Sequence, residues 1–377
     1  MHTNSLSEHK RKGSTADSAD SSEQPAPGRA AHGTAVALVK RPKTDNSAAV
    51  VVSKGDTSAV IKAGPKRTSG MQAPIMHLTG HAGEVTTCRF SPNGNHLASG
   101  SGDSQVFLWN TYGDCTNYGV LRGHKGSVLE LQWMPSGERL ITASADSTVA
   151  LWDATTGERL KRGKRHTAPV NACCPLSRGL GDDNVFASAS DDGCLLLWDA
   201  RERHPVATIT HGLPLTSIAA APTGTTVYAG SLDNSISSWD VRSLSLVDTL
   251  RGHSGTVMGL SISPKTGNYL LSTSLDNTVR LWDLRPYCRI PNRCERVFAG
   301  APHGFERSLI RPAFDREESM VASGSADRTL TIWNMRSGEI KYKLPGHKGC
   351  VTQVDFHPLE PIVLSGSVDK TMFLGEI

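Results

Sequence analysis

Aromatic residues make up only 6% of this 377-residue chain, and none occurs before position 71. No aromatic strand motif of the kind that stacks RNA bases on a sheet is present, so base readout on a sheet is not expected. No Gly-rich loop ends in Lys-Ser or Lys-Thr, which removes the usual phosphate cradle. The eight cysteines, Cys88, Cys115, Cys173, Cys174, Cys194, Cys288, Cys294 and Cys350, contain no C-x-x-C pair and no zinc-type grouping with His. They read as reduced, mostly buried thiols, and neither a metal nor a cofactor is expected. No apolar stretch opens the chain and no run reaches a membrane span, so neither a secretory leader nor an anchor is expected. Net charge is also low, at +4.

That charge is unevenly placed. Residues 1–70 carry 11 Lys or Arg and 6 Asp or Glu, whereas the remaining residues carry 29 and 30. The larger part is therefore near neutral, which argues against a body built around a nucleic-acid-binding face. Residues 1–70 are rich in Ser, Ala, Gly, Thr and Lys and cannot bury enough apolar surface to offset their ordering entropy. They are expected to form a disordered basic tail. Its clusters Lys10-Arg11-Lys12, Lys40-Arg41-Pro42-Lys43 and Lys66-Arg67 read as import signals, phosphate-touching arms or plain solvated linker.

What is present is a repeat. An Asp is followed six positions later by Trp and then by Asp or Asn: Asp103 to Trp109, Asp146 to Trp152, Asp192 to Trp198, Asp233 to Trp239, Asp276 to Trp282 and Asp327 to Trp333. Asp369 begins a seventh copy in which Gly375 replaces Trp. Successive tryptophans lie 43, 46, 41, 43 and 51 residues apart. A period in the low forties with a polar turn and an apolar strand specifies four-stranded propeller blades. Seven such blades fill residues 71–377. Upstream of each Asp stands a His: His81, His124, His166, His211, His253, His303 and His347. A hydroxyl lies four before the Asp at Ser99, Thr142, Ser188, Ser272, Ser323 and Ser365, with Ala229 in blade four. The chain stops one strand short, and Ile75–Leu78 is expected to supply the outer strand of the last blade and close the ring. Two inserts break the plan, Arg178–Asn184 and Arg285–Gly304; long loops on a rigid scaffold are where function gathers.

These motifs resemble the WD-repeat (WD40) family over residues 73 onward. The resemblance implies an all-β, seven-bladed propeller and gives the recurring polar residues a structural role. In each blade Asp, His, Ser or Thr, and the Trp indole form a buried hydrogen-bonded chain, with no catalysis. The sets expected to do so include His81, Ser99, Asp103 and Trp109; His124, Thr142, Asp146 and Trp152; and His253, Ser272, Asp276 and Trp282. Blade four, without Ser, and blade seven, without Trp, should be incomplete.

Particular stretches are similar to the spliceosomal members of the family: Gln72-Ala73-Pro74-Ile75-Met76, Tyr112-Gly113-Asp114-Cys115, Lys343-Leu344-Pro345-Gly346-His347 and the closing Gly375-Glu376-Ile377. This resemblance implies a non-enzymatic nuclear scaffold in pre-mRNA splicing, bound to the large pre-mRNA-processing scaffold protein of the U5 particle. RNA contact would be indirect or through the tail. Phe305, Glu306 and Arg307, next to the second insert, are the candidate partner-binding residues. An aromatic anchor is the kind of side chain that dominates an interface, although Phe305 suits a cap packed on the propeller nearly as well. The alternative is a substrate receptor of a cullin-type ubiquitin ligase, suggested by the Trp-Asp-x-Arg boxes Trp198–Arg201, Trp239–Arg242 and Trp282–Arg285.

Overall fold

The computed structural model describes residues 69–176, 183–288 and 290–377. The tail expected over residues 1–70 lies outside these except for its last two residues, and most of the insert Arg178–Asn184 lies outside as well. Every described element is a strand. The strands form seven four-stranded antiparallel sheets. Blade one runs Val85–Phe90, His96–Ser101, Gln105–Asn110 and Asn117–Arg122 from the ring axis outward. Blade seven combines Val351–Phe356, Ile362–Ser367 and Thr371–Glu376 with Ile75–Thr79 from the start of the propeller. The expected closure is thus observed: Ile75 lies opposite Gly375 and Thr79 opposite Thr371. Closure pairs an edge that a strand-short last blade would leave open.

The core is divided among the seven seams between blades. Leu108 and Leu121 of blade one pack with Val128, Leu131 and Trp152 of blade two, and each other seam has its own buried cluster. Strands buried on both faces explain the apolar runs in the sequence, such as Val149–Trp152. Polar staples near the axis join neighbours. Thr352 Oγ1 donates to the Val85 carbonyl at 2.8 Å, and Asn171 Nδ2 donates to the Leu215 carbonyl at 2.9 Å. The position after each repeat Asp holds a left-handed backbone, at Ser104, Ser147, Gly193, Asn234, Asn277, Arg328 and Lys370. This tight turn lets the Asp side chain cap the next strand, as Asp146 Oδ1 does for Thr148 N at 3.1 Å. All eight cysteines are free thiols, five of them buried.

Blade six departs from the plan. Its inner strand is only Ala313–Phe314. Pro312, just before it, has no N–H to donate to the ladder. The preceding residue leaves its own sheet: Arg311 forms an isolated parallel bridge with Gln353 of blade seven, and its N–H donates to the Thr352 carbonyl at 3.0 Å. Gly259 of blade five makes room, because a Cβ there would lie 2.3 Å from the Ile310 carbonyl oxygen.

Candidate functional site

In blades one, two, three and five the polar sets close into one chain of donors. In blade two the Trp152 indole donates to Thr142 Oγ1 at 2.9 Å. Thr142 lies 2.7 Å from His124 Nε2, and His124 Nδ1 lies 3.3 Å from Asp146 Oδ2. The aspartate can only accept, so Nδ1 carries the hydrogen it receives; in the neutral ring Nε2 is then an acceptor and takes the Thr142 hydroxyl hydrogen, while Oγ1 accepts the indole N–H. The equivalent distances are 2.9, 2.8 and 3.1 Å for Trp109, Ser99, His81 and Asp103. They are 2.8, 2.6 and 2.8 Å for Trp282, Ser272, His253 and Asp276. Blade three repeats the arrangement with Trp198, Ser188, His166 and Asp192 at 2.8 Å each.

The arrangement has the order of a hydrolase triad and the wrong surroundings for one. Ser99 and Ser272 are fully buried, and each hydroxyl is engaged by both its His and its Trp. No substrate carbonyl can approach such an oxygen. The electrostatics fit a structural role. Burial lifts the Asp146 carboxyl, but hydrogen bonds from His124, the Lys125 N–H and Thr148 outweigh it and hold the carboxyl far below its usual range. Asp276 behaves alike, through His253 and Thr278. Burial lowers His81 and His166 against the pull of their aspartates, which favours neutral rings.

Blades four and seven are incomplete. Ala229 offers no hydroxyl, and both His211 Nε2 and the Trp239 indole are buried without a partner. In blade seven His347 reaches Ser365 at 2.9 Å and Asp369 at 3.1 Å, and Phe373 packs edge-on against it in place of the indole.

Blade six was expected to be complete and is not. In six blades the repeat His stands nine positions before the end of the inner strand, as His81 does before Phe90 and His347 before Phe356. Nine before Phe314 is Phe305, not His303. His303 sits instead by blade five, its N–H donating to Asn277 Oδ1 at 2.7 Å and its Nδ1 buried without a partner. Burial pulls its pKa down to about 4, despite Asp276 nearby. Ser323 donates to the adjacent Gly324 carbonyl at 3.0 Å, and the Trp333 indole turns to the Ala299 carbonyl at 3.1 Å. Asp327 pairs with Lys343 at 2.7 Å.

Phe305 does not occupy the vacated slot; its side chain is fully exposed, at 106%. It packs on nothing, so the cap role is removed. Glu306 and Arg307 follow it, both exposed, and Arg307 holds a left-handed backbone (φ 48°) that belongs to no repeat turn. Residues 306–309 wall a cavity of about 540 Å³ at the mouth of the axial channel, facing Glu84, Thr86, Leu129 and Thr352. Of the three candidate partner-binding residues, Glu306 and Arg307 line this cavity, and Phe305 precedes them outside its lining.

The channel below this mouth is plugged by charges that sequence reasoning missed. Arg311, 1% exposed, reaches across the axis to Glu130, with Nε 3.4 Å from Oε1. Its Nη2 donates to the Asn171 carbonyl at 2.9 Å. Glu130 also accepts from Gln132 Nε2 at 2.9 Å and the Cys173 N–H at 3.2 Å. A second pair, Arg89 with Asp355 at 3.1 Å, joins blades one and seven. The available signal was a charged residue inside an inner-strand run, as in Val128-Leu129-Glu130-Leu131. Among the described residues no three His, Cys, Asp or Glu side chains gather as a metal site requires.

The model of the WD domain, G-beta repeat, matches residues 72–110, 115–153, 157–199, 203–240, 244–283, 307–334 and 338–374. The chain belongs to the WD40 family. Similarity to individual members extends over more than four fifths of the chain. The chain is 51% identical to the "U5 small nuclear ribonucleoprotein 40 kDa protein" of Bos taurus, over 85% of this chain and 88% of that one. The Dictyostelium discoideum protein of the same name is 41% identical, over 89% and 93%. The "Pre-mRNA-splicing factor cwf17" of Schizosaccharomyces pombe is 38% identical, over 83% and 90%. The sixth family match begins only at residue 307, beyond Phe305. The family pattern and the geometry therefore both break at the start of blade six.

Proposed function

We propose that this WD40 chain is a protein-binding scaffold subunit of the spliceosome that acts in the nucleus and performs no catalysis itself. The observation that carries the reading is similarity, over more than four fifths of the chain, to proteins named for the U5 particle and for pre-mRNA splicing. The physical features agree in kind. The ring is stiffened at each seam, and the hydroxyls of its complete polar sets are buried and doubly engaged. One loop, Phe305–Leu309, departs from the repeat, walls the channel mouth with residues 306–309 and carries the exposed Phe305 beside them.

In this reading Phe305, Glu306 and Arg307 hold the large pre-mRNA-processing scaffold protein of the U5 particle. A solvent-facing aromatic that packs on nothing in its own chain can bury its ring only against a partner, and such residues dominate interface energies. The Trp-Asp-x-Arg boxes support the ubiquitin-ligase alternative less well. Asp199 and Asp240 accept the backbone N–H two residues on, at 2.9 and 2.7 Å, and the Asp283 carboxylate takes the Arg285 side chain at 2.6 Å. These are local turn bonds. Affinity purification of the tagged chain from nuclei tests the assignment. Recovery of the large splicing scaffold with other U5 proteins is the expected result; recovery of a cullin and its adaptor instead would overturn it.

A further inference from the structure

We infer that the outer edge of blade two, with the loops at its His-bearing end, is a contact surface for the phosphate backbone of single-stranded RNA. Its outer strand Arg159–Gly163 reads Arg-Leu-Lys-Arg-Gly and runs on into Lys164-Arg165. Three of the strand's five residues are cationic, five of seven with Lys164 and Arg165 included, and none of the seven is acidic. The six other outer strands carry two cations at most: two in Ile340–Pro345, one each in Asn117–Arg122, Leu246–Arg251 and Cys294–Phe298, and none in Ala207–Thr210 or Ile75–Thr79. Charge on an edge strand protects against edge-to-edge pairing. The remaining outer strands manage with two cations or fewer, and Lys164 and Arg165 lie beyond the paired edge, so protection does not account for the whole concentration.

The cations converge. The Lys125 N–H and Arg162 Nη2 both meet Asp146 Oδ2, at 2.9 and 3.3 Å. Gly163, opposite Val149 beside the same turn, leads directly into exposed Lys164 and Arg165. Arg159 Nη1 donates to the Gly123 carbonyl at 3.1 Å, next to exposed Arg122. Asp146 is saturated by these bonds and those from His124 and Thr148. Among the described residues, Arg122, Lys125, Lys164 and Arg165 have no carboxylate within 4.0 Å, and Arg162 meets only the saturated Asp146. The surface also lacks an anchor for a protein partner: Leu160, 49% exposed, is its one large apolar side chain, and no aromatic is exposed there. Protein interfaces are built around buried aromatic and apolar anchors. Phosphate chains need only the cations, which release condensed counterions on contact.

This surface is separate from the loop at Phe305. The choice of RNA rests on the proposed splicing role; the cation cluster does not. The test uses full-length protein whose tail clusters Lys10-Arg11-Lys12, Lys40-Arg41, Lys43 and Lys66-Arg67 are replaced by serine, titrated against a fluorescent 20-nucleotide single-stranded RNA. Arg122→Ala, Lys125→Ala, Lys164→Ala and Arg165→Ala are then combined, leaving Arg159, Lys161 and Arg162 in their structural bonds. The combined variant should keep its melting temperature and bind at least about tenfold more weakly in moderate salt. The slope of log K against log salt should shrink by about 0.7 for each lost phosphate contact, about 2–3 in all. Equal affinity of the two proteins, or no RNA binding by the tail-replaced parent, would overturn the inference. So would tighter, patch-dependent binding of poly-glutamate, which would identify an acidic protein as the partner. Co-purification of splicing proteins from nuclei is read separately, so this inference can fail while the scaffold reading stands.

Discussion

In blade two a proton chain runs from the Trp152 indole through Thr142 and His124 to Asp146, and the loop carrying His124 is held against its own sheet. In blade six Phe305 takes the histidine's place in the sequence, the Trp333 indole bonds to Ala299, and the loop lifts away to wall the channel mouth. Blade two gains internal stability from its loop; blade six gives up that chain and gains an outward-facing aromatic. The lost tether is replaced from below, where Arg311 crosses the axis to Glu130 and Asn171. A repeat protein can thus release one copy from its structural duty, provided another contact holds the blade.

The replacement tether gives the largest expected effect. Arg311→Met strands the buried Glu130 carboxylate and should cost about 3–5 kcal/mol in urea melts. Adding Glu130→Gln should recover at least half of that, since a buried pair replaced together is often nearly neutral. A single Arg311→Met costing under 1 kcal/mol would show that blade six is held by something else.

The polar chain comes next. Asp146→Ala leaves a buried histidine and several donors unsatisfied, at about 1–3 kcal/mol for such groups. Asp233→Ala should cost less than half as much, because Ala229 has already opened that chain and His211 Nε2 has no partner. The same holds for Asp327→Ala in blade six. Equal losses in all three would remove the distinction between complete and incomplete blades.

Acid should act through the histidines first. His303, with a folded pKa of about 4 against an ordinary value of 6.5, binds protons more readily when unfolded. Stability therefore falls as pH drops through the window from 6.5 to 4, by about 2 kcal/mol between pH 7 and pH 5 from this group alone. His81, His166 and His347 are also lowered by burial and push in the same direction. The depressed aspartates add their loss only below their ordinary value of 3.8, as for Asp369, held at about 2. His303→Asn should shrink the difference between pH 7 and pH 5 by about 2 kcal/mol; an unchanged difference would mean that His303 is not kept neutral by burial.

The ring was legible because its signals are local and repeated. The Asp-to-Trp distance is fixed by one turn and one strand, and the lone strand Ile75–Leu78 ahead of the first repeat matched the fourth place in blade seven. Blade six misled for a physical reason. His303 lies 24 positions before Asp327, inside the spread set by loops in the other copies, so counting to the Asp could not separate it from Phe305 at 22. Counting back from the strand end does, because a strand fixes register and a loop does not. The Arg311–Glu130 pair was illegible because it joins opposite sides of the ring and follows no period.

The smallest expected effect on stability belongs to the residue with the largest proposed effect on binding. Phe305 is fully exposed, so Phe305→Ala should change stability by no more than about 0.5 kcal/mol. The direct measurement is therefore paired: melting temperature, and recovery of the large splicing scaffold from nuclei below that temperature, for Phe305→Ala and Asp146→Ala side by side. Phe305→Ala should melt like the parent and lose the partner; Asp146→Ala should melt earlier and keep it. Loss of melting temperature without loss of partner in Phe305→Ala would return the blade-six loop to the structural role of its counterparts and contradict the account.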